Sequence, residues 1–598
     1  MSEFDRYRKA GAVARTMLVQ AAAQKFGVSP DNCRTENGYV IADKHRISYG
    51  EIATAASVLP MPNVVLRGRA EWKLVGKSKN RLDIPDKING KAQFGLDVHI
   101  PGVLTALVAH APVFGSKVKS FIINDALTIQ GVRDVVQIPS GVAVVADNFW
   151  AAKQGRDKLK IEWEWPAESE LSTHSQLIEY RKIAETKGSV VVERGDVNTA
   201  LRDAKNILEF EYSFPYLAHA PMEPLNCTVR IAEKSCEVWV GTQSPLLHQA
   251  EIARFLRLQP EQVKLYTPYL GGGFGRRGSF SDNWVMEAVH IAKISGKAIK
   301  LIWTREDDIQ GGYYRPVYLH RVELGIAENG FPMAWRHRIV GQSLFVNTPL
   351  EKEIVVNGID YSCVTTGAPY SETVSNYSFE LHTTKSVVPV LPWRSVGHTH
   401  KVFVIESIID EMATRTSMDA VEYRRLLLKN SPRHLGVLNH VAEKASWGTS
   451  LPAGRFRGVA VCEAMGSYVA NVVEVSINDN QININRVVCA IDCGLAVNPD
   501  GVRAQMEGGI IFGLTAALYG EITLDKGRVI QSNFHDYRML RMKETPVIEV
   551  HIMPSDEKMG GAGEPGVPAI APALANALFA ATGKRIRKLP IPLDDVVK

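Results

Sequence analysis

A multidomain α+β fold is what this sequence predicts, and three observations carry that reading. The chain has 598 residues, too many for one core, and the length suggests roughly three to five domains. Short β-rich apolar runs alternate with stretches of helical spacing. Breaks at 61–75, 166–190 and Leu451-Pro452-Ala453-Gly454 separate these textures. Residues 5–27 read as a helix, because Ala10, Val13, Met17, Leu18 and Ala21 recur at helical spacing. A hairpin-like piece follows from Cys33 to Ile47, then a helix from Tyr49 to Val58 that ends before Pro60. Together 1–74 form an N-terminal helical segment. Between 75 and 165, the runs Gly102 to Ala109 and Gly141 to Ala146 read as strands. Phe149 to Leu159 reads as a helix and Lys160 to Trp165 as a closing strand, giving a compact α+β unit of about 90 residues. Two larger α+β domains, 190–445 and 455–598, complete the chain.

Composition narrows the function classes. Hydrophobic residues are 45% and charged residues 22%, so the chain is ordinary globular protein. The formal net charge of +5 and the absence of a long Lys/Arg run give no reason to expect nucleic acid as a partner. Seven cysteines, odd in number and loosely spaced, argue against a disulfide framework and suit a reducing compartment. No Cys-x2-Cys pair or ferredoxin-like run occurs, so no iron–sulfur cluster is expected in this chain. Cys493 reads as a buried small residue. Met1 to Arg8 is charged and has no apolar signal core. The uncharged run Gly566 to Gly583 contains Pro568 and Pro572 and is short for a membrane span; it reads as a buried helix beginning near Ala571. Met506 to Tyr519 reads as a close-packed core helix, and no transmembrane segment is expected.

Two stretches carry candidate chemistry. In Gly560-Gly561-Ala562-Gly563-Glu564-Pro565-Gly566, one carboxylate stands among small and apolar residues, with few counter-charges expected around it. Glu564 is a candidate general base, the bland alternative being a helix N-terminal acid. The second stretch, Gly271-Gly272-Gly273-Phe274-Gly275-Arg276-Arg277-Gly278, follows the strand-like Val263 to Tyr266. A helix from about Asp282 to Ile294 is expected after it, capped by Ser279, Ser281 or Asp282. Gly273, Gly275 and Gly278 fit G-x-G-x-x-G formally. Arginines at positions where helix and strand should pack closely speak against a nicotinamide site. The loop instead offers backbone N–H groups, with Arg276 and Arg277 as positive charge for a phosphate or oxyanion. The alternative is a glycine turn with solvated arginines. His398-x-His400 lies in a strand-like stretch and reads as a packed or surface pair rather than a metal site.

Taken in order, His219-Ala220-Pro221-Met222-Glu223-Pro224, Val240-Gly241-Thr242-Gln243-Ser244-Pro245, the glycine loop, Pro392-Trp393-Arg394-Ser395-Val396-Gly397, Asp492-Cys493-Gly494 with Asn498-Pro499, and Gly563-Glu564-Pro565 resemble the molybdenum hydroxylase family. That family includes xanthine dehydrogenase and aldehyde oxidase, and the chain is most similar to its branch of isoquinoline 1-oxidoreductase beta subunits and bacterial aldehyde dehydrogenases. The resemblance covers nearly the whole chain. It implies an α/β-hammerhead domain at 75–165 and molybdopterin-binding domains at 190–445 and 455–598. It implies molybdenum held by a pyranopterin dinucleotide, with the cytosine form favoured, and no metal ligand from the protein. Gln243 would hydrogen-bond an oxo group, and the backbone of Gly272, Gly273 and Phe274 would lie against that face. Gly275, Arg276, Arg277 and Gly563 would complete the cofactor surround. Arg394 would stand near the substrate with His219 close by, and Glu564 would be the catalytic base. The implied reaction delivers water-derived oxygen to an N-heteroaromatic ring or an aldehyde, and the implied partner is a small iron–sulfur subunit with two 2Fe–2S clusters. Gly278 stands where purine-hydroxylating relatives carry a substrate-binding glutamate, which disfavours xanthine. The branch's Met-Gly-Gln-Gly and Gly-Gly-Ser-Thr-Ser turns do not occur in this sequence. That departure supports a rival expectation: a cofactor-free scaffold or binding subunit that needs a second polypeptide to act.

Overall fold

The computed structural model describes residues 3–279, 284–364, 370, 373–478 and 481–597. The first helix, Phe4–Phe26, stops at Gly27, which adopts a φ of 68° that glycine takes without steric cost. A three-stranded antiparallel sheet, Arg34–Glu36, Tyr39–Ala42 and His45–Ser48, leads into the helix Tyr49–Ser57. Ser48 and Glu51 cap that helix reciprocally, each side chain accepting from the other's backbone N–H. Ala21, Ala22, Val40, Ile47 and Ile52 form a small core of their own.

A seven-stranded mixed sheet follows, and it changes the expected domain layout. Three of its strands, Leu104–His110, Gly141–Ala146 and Val132–Ile138, come from the stretch read as a unit closed on itself. The other four, Ile299–Ile302, Asn226–Ala232, Ser235–Trp239 and Val263–Tyr266, come from beyond residue 190. Ile299–Ile302 pairs parallel with Leu104–His110 and joins the two halves. The physical reason is edge satisfaction. Ala106, Leu107 and Val108 are buried, and a buried strand edge must find hydrogen-bond partners on both sides. The helix Trp284–Ser295 packs on this sheet; the cap sites Ser281 and Asp282 lie outside the described residues.

Two further sheets share one core. The five-stranded sheet runs in the order Asn206–Phe214, Tyr318–Ile326, Pro332–Gln342, Asn376–Thr384, Ser189–Arg194. The four-stranded sheet runs Arg455–Ala464, Ser467–Asn478, Gln481–Asp492, Val547–Ile552. A continuous apolar cluster joins Phe210, Tyr212 and Phe379 of the first to Val459, Val472 and Val488 of the second. The break at 451–454 therefore does not separate two cores. The uncharged helix Ile570–Thr582 lies on Arg455–Ala464 and Ser467–Asn478, which explains why it has no polar face.

His398 and His400 are not in a strand. They open the helix His398–Arg415, which is buried along almost its whole length. Its Val, Ile and Thr content favours a strand locally, and tertiary burial overrides that preference. His400 is fully buried and hydrogen-bonded through Nδ1 to His320, which in turn meets His337, at 2.8 and 2.7 Å. Among the described residues, no helix is long and apolar enough to cross a membrane.

Candidate active site

Segments from five parts of the chain meet at one cleft of about 470 Å³. Gln243, Gly273, Phe274, Gly275, Arg394, Gly563 and Glu564 line it, with Leu270, Pro392, Trp393, Val396 and Gln505.

The glycine loop is held by what lies beneath it. Glu223 accepts from the Gly271 N–H at 2.7 Å and from Arg277 Nη2 at 3.0 Å. Arg277 also donates to the carbonyls of Gly272, Gly241 and Glu223. Arg276 is buried among the rings of Trp284, Trp303 and Tyr313, 3.7 Å from Asp308. Neither arginine lines the cleft, so both expectations for them fail: they are not solvated, and they offer no charge to a ligand there. Burial pushes both guanidinium pKa values down, and nearby carboxylates oppose that shift. Their work is to fix the loop's path.

That path leaves no room for side chains. A Cβ on Gly273 would stand 2.6 Å from Gln243 Oε1, and one on Gly275, where φ is +115°, 1.8 Å from the Pro392 carbonyl oxygen. The Gly275 N–H donates to Gln243 Oε1 at 3.2 Å, which engages the amide oxygen and leaves Nε2 as the side chain's donor. Phe274 itself adopts a φ of 58°. Its ring stacks on Phe512 at 4.7 Å, and Phe512 stacks on Trp393 at 4.4 Å, making an aromatic bank beside the cleft.

Arg394 and Ser395 hold Glu564. Arg394 accepts no neighbour of opposite charge in an ion pair among the described residues. Its Nε donates to the Gly563 carbonyl at 2.7 Å, and its Nη2 to Gln505 Oε1 at 3.0 Å. The Ser395 N–H donates to Glu564 Oε1 at 2.8 Å, and the Ser395 hydroxyl to the Glu564 carbonyl at 2.6 Å. Ser395 and Val396 sit at φ 78° and 48°, a strained pair for non-glycine residues. Glu564 is thus not remote from charge as expected: the fold brings Arg394 within its electrostatic reach, although burial still lowers the Arg394 pKa overall. His219 is buried behind the loop and hydrogen-bonded through Nε2 to the Pro392 carbonyl at 3.0 Å. Burial pushes its pKa down to about 3, so it is neutral.

Three contributors escaped the sequence reading. Gln505 sits on the helix Pro499–Leu518, whose start is marked by the Asn498 cap and Pro499, yet nothing in its spacing singles it out. Phe512, on the same helix, resembles any core aromatic. Ser395 lies inside a motif that was read for its arginine.

Among the described residues, no group of three or more His, Cys, Asp or Glu is placed to hold a metal ion. A metal here would therefore arrive on an organic ligand of its own. The cleft fits such a group: Gly273, Gly275 and Gly563 leave it open to backbone approach, and the Gln243 amide and one carboxylate, Glu564, line it.

The comparisons with known proteins agree with that chemistry. Two models of the molybdopterin cofactor-binding domain match residues 182–428 and 435–546. The chain is 32% identical to the isoquinoline 1-oxidoreductase subunit beta of Brevundimonas diminuta, over 98% of this chain and 82% of that one. Among solved structures, quinoline 2-oxidoreductase from Pseudomonas putida 86 superposes with a TM-score of 0.73 at 14% identity, covering 88% of this chain and 98% of the other. The aldehyde oxidoreductase from Desulfovibrio gigas gives 0.71 at 15% identity, covering 91% and 83%.

Proposed function

The chain belongs to the molybdenum hydroxylase family, and from that premise we propose how its cleft works. It is a molybdopterin-binding oxidoreductase subunit of the kind that acts on aldehydes and N-heterocycles. The cofactor, in our reading the cytosine dinucleotide form, supplies when bound an activated water-derived oxygen and an acceptor for two electrons. The balance is RH + H2O → ROH + 2 H⁺ + 2 e⁻. Gln243, through its Nε2 donor, and the backbone from Gly272 to Phe274 would hold that group. Glu564 would serve as the general base; Ser395 holds Oε1 and leaves Oε2 to take a proton. Arg394 uses Nη1, the nitrogen not engaged with Gly563 or Gln505, to meet an acceptor on the substrate. The flat bank of Phe274, Phe512 and Trp393 favours a planar N-heteroaromatic ring over an aliphatic aldehyde. All seven cysteines are free, and six are buried. An iron–sulfur subunit with two 2Fe–2S clusters would accept the two electrons.

The observation that carries this reading is the meeting of Gln243 and Glu564, 321 positions apart in sequence, on one glycine-lined cleft. Molybdenum per chain, measured by elemental analysis on protein from its own cells, tests it. Near one atom per chain supports it; none in folded protein that has kept its partners overturns it in favour of a cofactor-free scaffold. In loaded protein, Glu564→Gln is expected to lower kcat by about 10²- to 10⁴-fold with cofactor content and melting temperature unchanged. Unaltered turnover would remove Glu564 from the mechanism.

A further inference from the structure

The net positive charge of this chain is equalled by that of one segment. Between residues 67 and 91 there are eight Lys or Arg against Glu71, Asp83 and Asp86, a surplus of five. The whole chain's surplus is also five, so everything outside this segment sums to zero. The same segment exposes large apolar side chains. Leu82 is 97% exposed, Ile88 81% and Leu74 67%, and Val65, just ahead of it, is 90% exposed. Scattered single apolar residues need no explanation, but a run of them on one basic segment does.

The segment is a strap along the edge of the cleft. At one end the Gly76 N–H donates to the Val497 carbonyl, Ser78 donates to Asp500, and Asn498 donates to the Lys79 carbonyl. Those partners are the start of the helix that carries Gln505. At the other end the Tyr269 N–H donates to the Gln93 carbonyl, and the Leu96 N–H donates to Glu223. Those partners support the glycine loop, and Leu270 beside them lines the cleft. The strap thus joins two walls of the site by its backbone and turns its side chains outward. Arg81 and Lys87 share the Asp83 carboxylate, whereas the ammonium groups of Lys73, Lys77 and Lys79 form no ion pair among the described residues.

We propose that this strap is the docking surface for an acidic, electron-carrying protein, with Leu74, Leu82 and Ile88 as its apolar anchors. The proposal rests on the oxidoreductase reading above and adds where the electrons leave. Oxidation in the cleft releases two electrons per substrate, and the acceptor must approach the cleft to take them. The strap is bonded to two of the elements that line the cleft. Its unpaired lysines steer a partner bearing carboxylates, and the apolar side chains hold it once docked. An anionic membrane has the same sign of charge, but the strap borders a catalytic cleft, and a redox protein has a reason to be there.

The test uses the chain purified at low salt with its iron–sulfur subunit, identified by iron and acid-labile sulfide. Carbodiimide joins lysines to carboxylates in direct contact, and peptide mass spectrometry locates the joins. Cross-links from Lys73, Lys77 or Lys79 to acidic residues of that subunit are expected. In the K73E/K77E/K79E variant, and separately in Leu82→Ser with Ile88→Ser, the complex should be at least about tenfold weaker, and only the charge variant should lose salt dependence. Cross-links confined to other lysines, or equal retention of the subunit by all variants, overturn the proposal. So does charge-dependent binding to phosphatidylglycerol vesicles with subunit retention unaltered. If no iron is retained at low salt, the docking proposal fails on its own, while molybdenum on the same chain would leave the proposed function standing.

Discussion

Ser395 shows how much of this site is set by a residue without an obvious chemical role. Its hydroxyl anchors the Glu564 backbone and its N–H holds one carboxylate oxygen. Both bonds depend on a left-handed backbone at Ser395 that a non-glycine residue adopts at a cost. Ser395→Ala removes the hydroxyl bond and keeps the N–H. A net hydrogen bond is worth about 1 kcal/mol, so the carboxylate should wander and kcat should fall by roughly fivefold. KM should hardly move, since the serine side chain faces the glutamate backbone and not the substrate. A matching rise in KM would show instead that Ser395 shapes the substrate pocket. Steady-state kinetics with whichever N-heteroaromatic or aldehyde the native protein turns over, and a dye acceptor, separate the two results.

At the level of elements, the glycine loop depends on a charge hidden behind it. Arg277 is completely buried and binds three carbonyls and the Glu223 carboxylate. Arg277→Met fills similar volume but leaves Glu223 buried without its cation, a loss of about 3–5 kcal/mol. Urea unfolding should show that loss in the midpoint, and a change below about 1 kcal/mol would mean that Glu223 is satisfied by its other bonds. The same loop marks where sequence reasoning stops. Its glycines were legible because a glycine-rich turn between a strand and a helix has few other uses. The role of its arginines was not, because charge in a turn reads as exposed and the carbonyls that receive Arg277 come from residues 223, 241 and 272. Local signals likewise gave the helix Phe4–Phe26, the helix that begins at Tyr49 and the uncharged helix Ile570–Thr582. The pairing of Leu104–His110 with Ile299–Ile302 left no local trace, since edge satisfaction is a property of the folded sheet. Glu564 and Arg394 stood out within short motifs, whereas Gln505 reaches the cleft only through the rotation of its helix.

Across the whole molecule, burial of neutral histidines ties stability to pH. Burial pushes His219 and His337 down to about 3, and His248, His398 and His434 down to about 4. An unfolded chain protonates each of them near pH 6.5. Between pH 6.5 and about 4 the unfolded state therefore binds protons that the native state refuses, and stability falls as pH falls through that window. Above pH 6.5 these groups are neutral in both states and contribute no slope. His248 isolates the effect, because it is fully buried, neither ring nitrogen has a partner among the described residues, and its ring packs edge-on with Trp284. His248→Leu keeps an apolar side chain of similar size and removes one titrating group. The variant should gain on the native protein by about 1.4 kcal/mol for each pH unit below 6.5, levelling off near pH 4, with a constant difference above pH 7. Paired urea titrations at pH 7.5, 6, 5 and 4.5 read that divergence directly. A stability difference that stays constant through this range would mean that His248 takes up its proton in the native state as readily as in the unfolded one, and that its buried place beside Trp284 admits a charge.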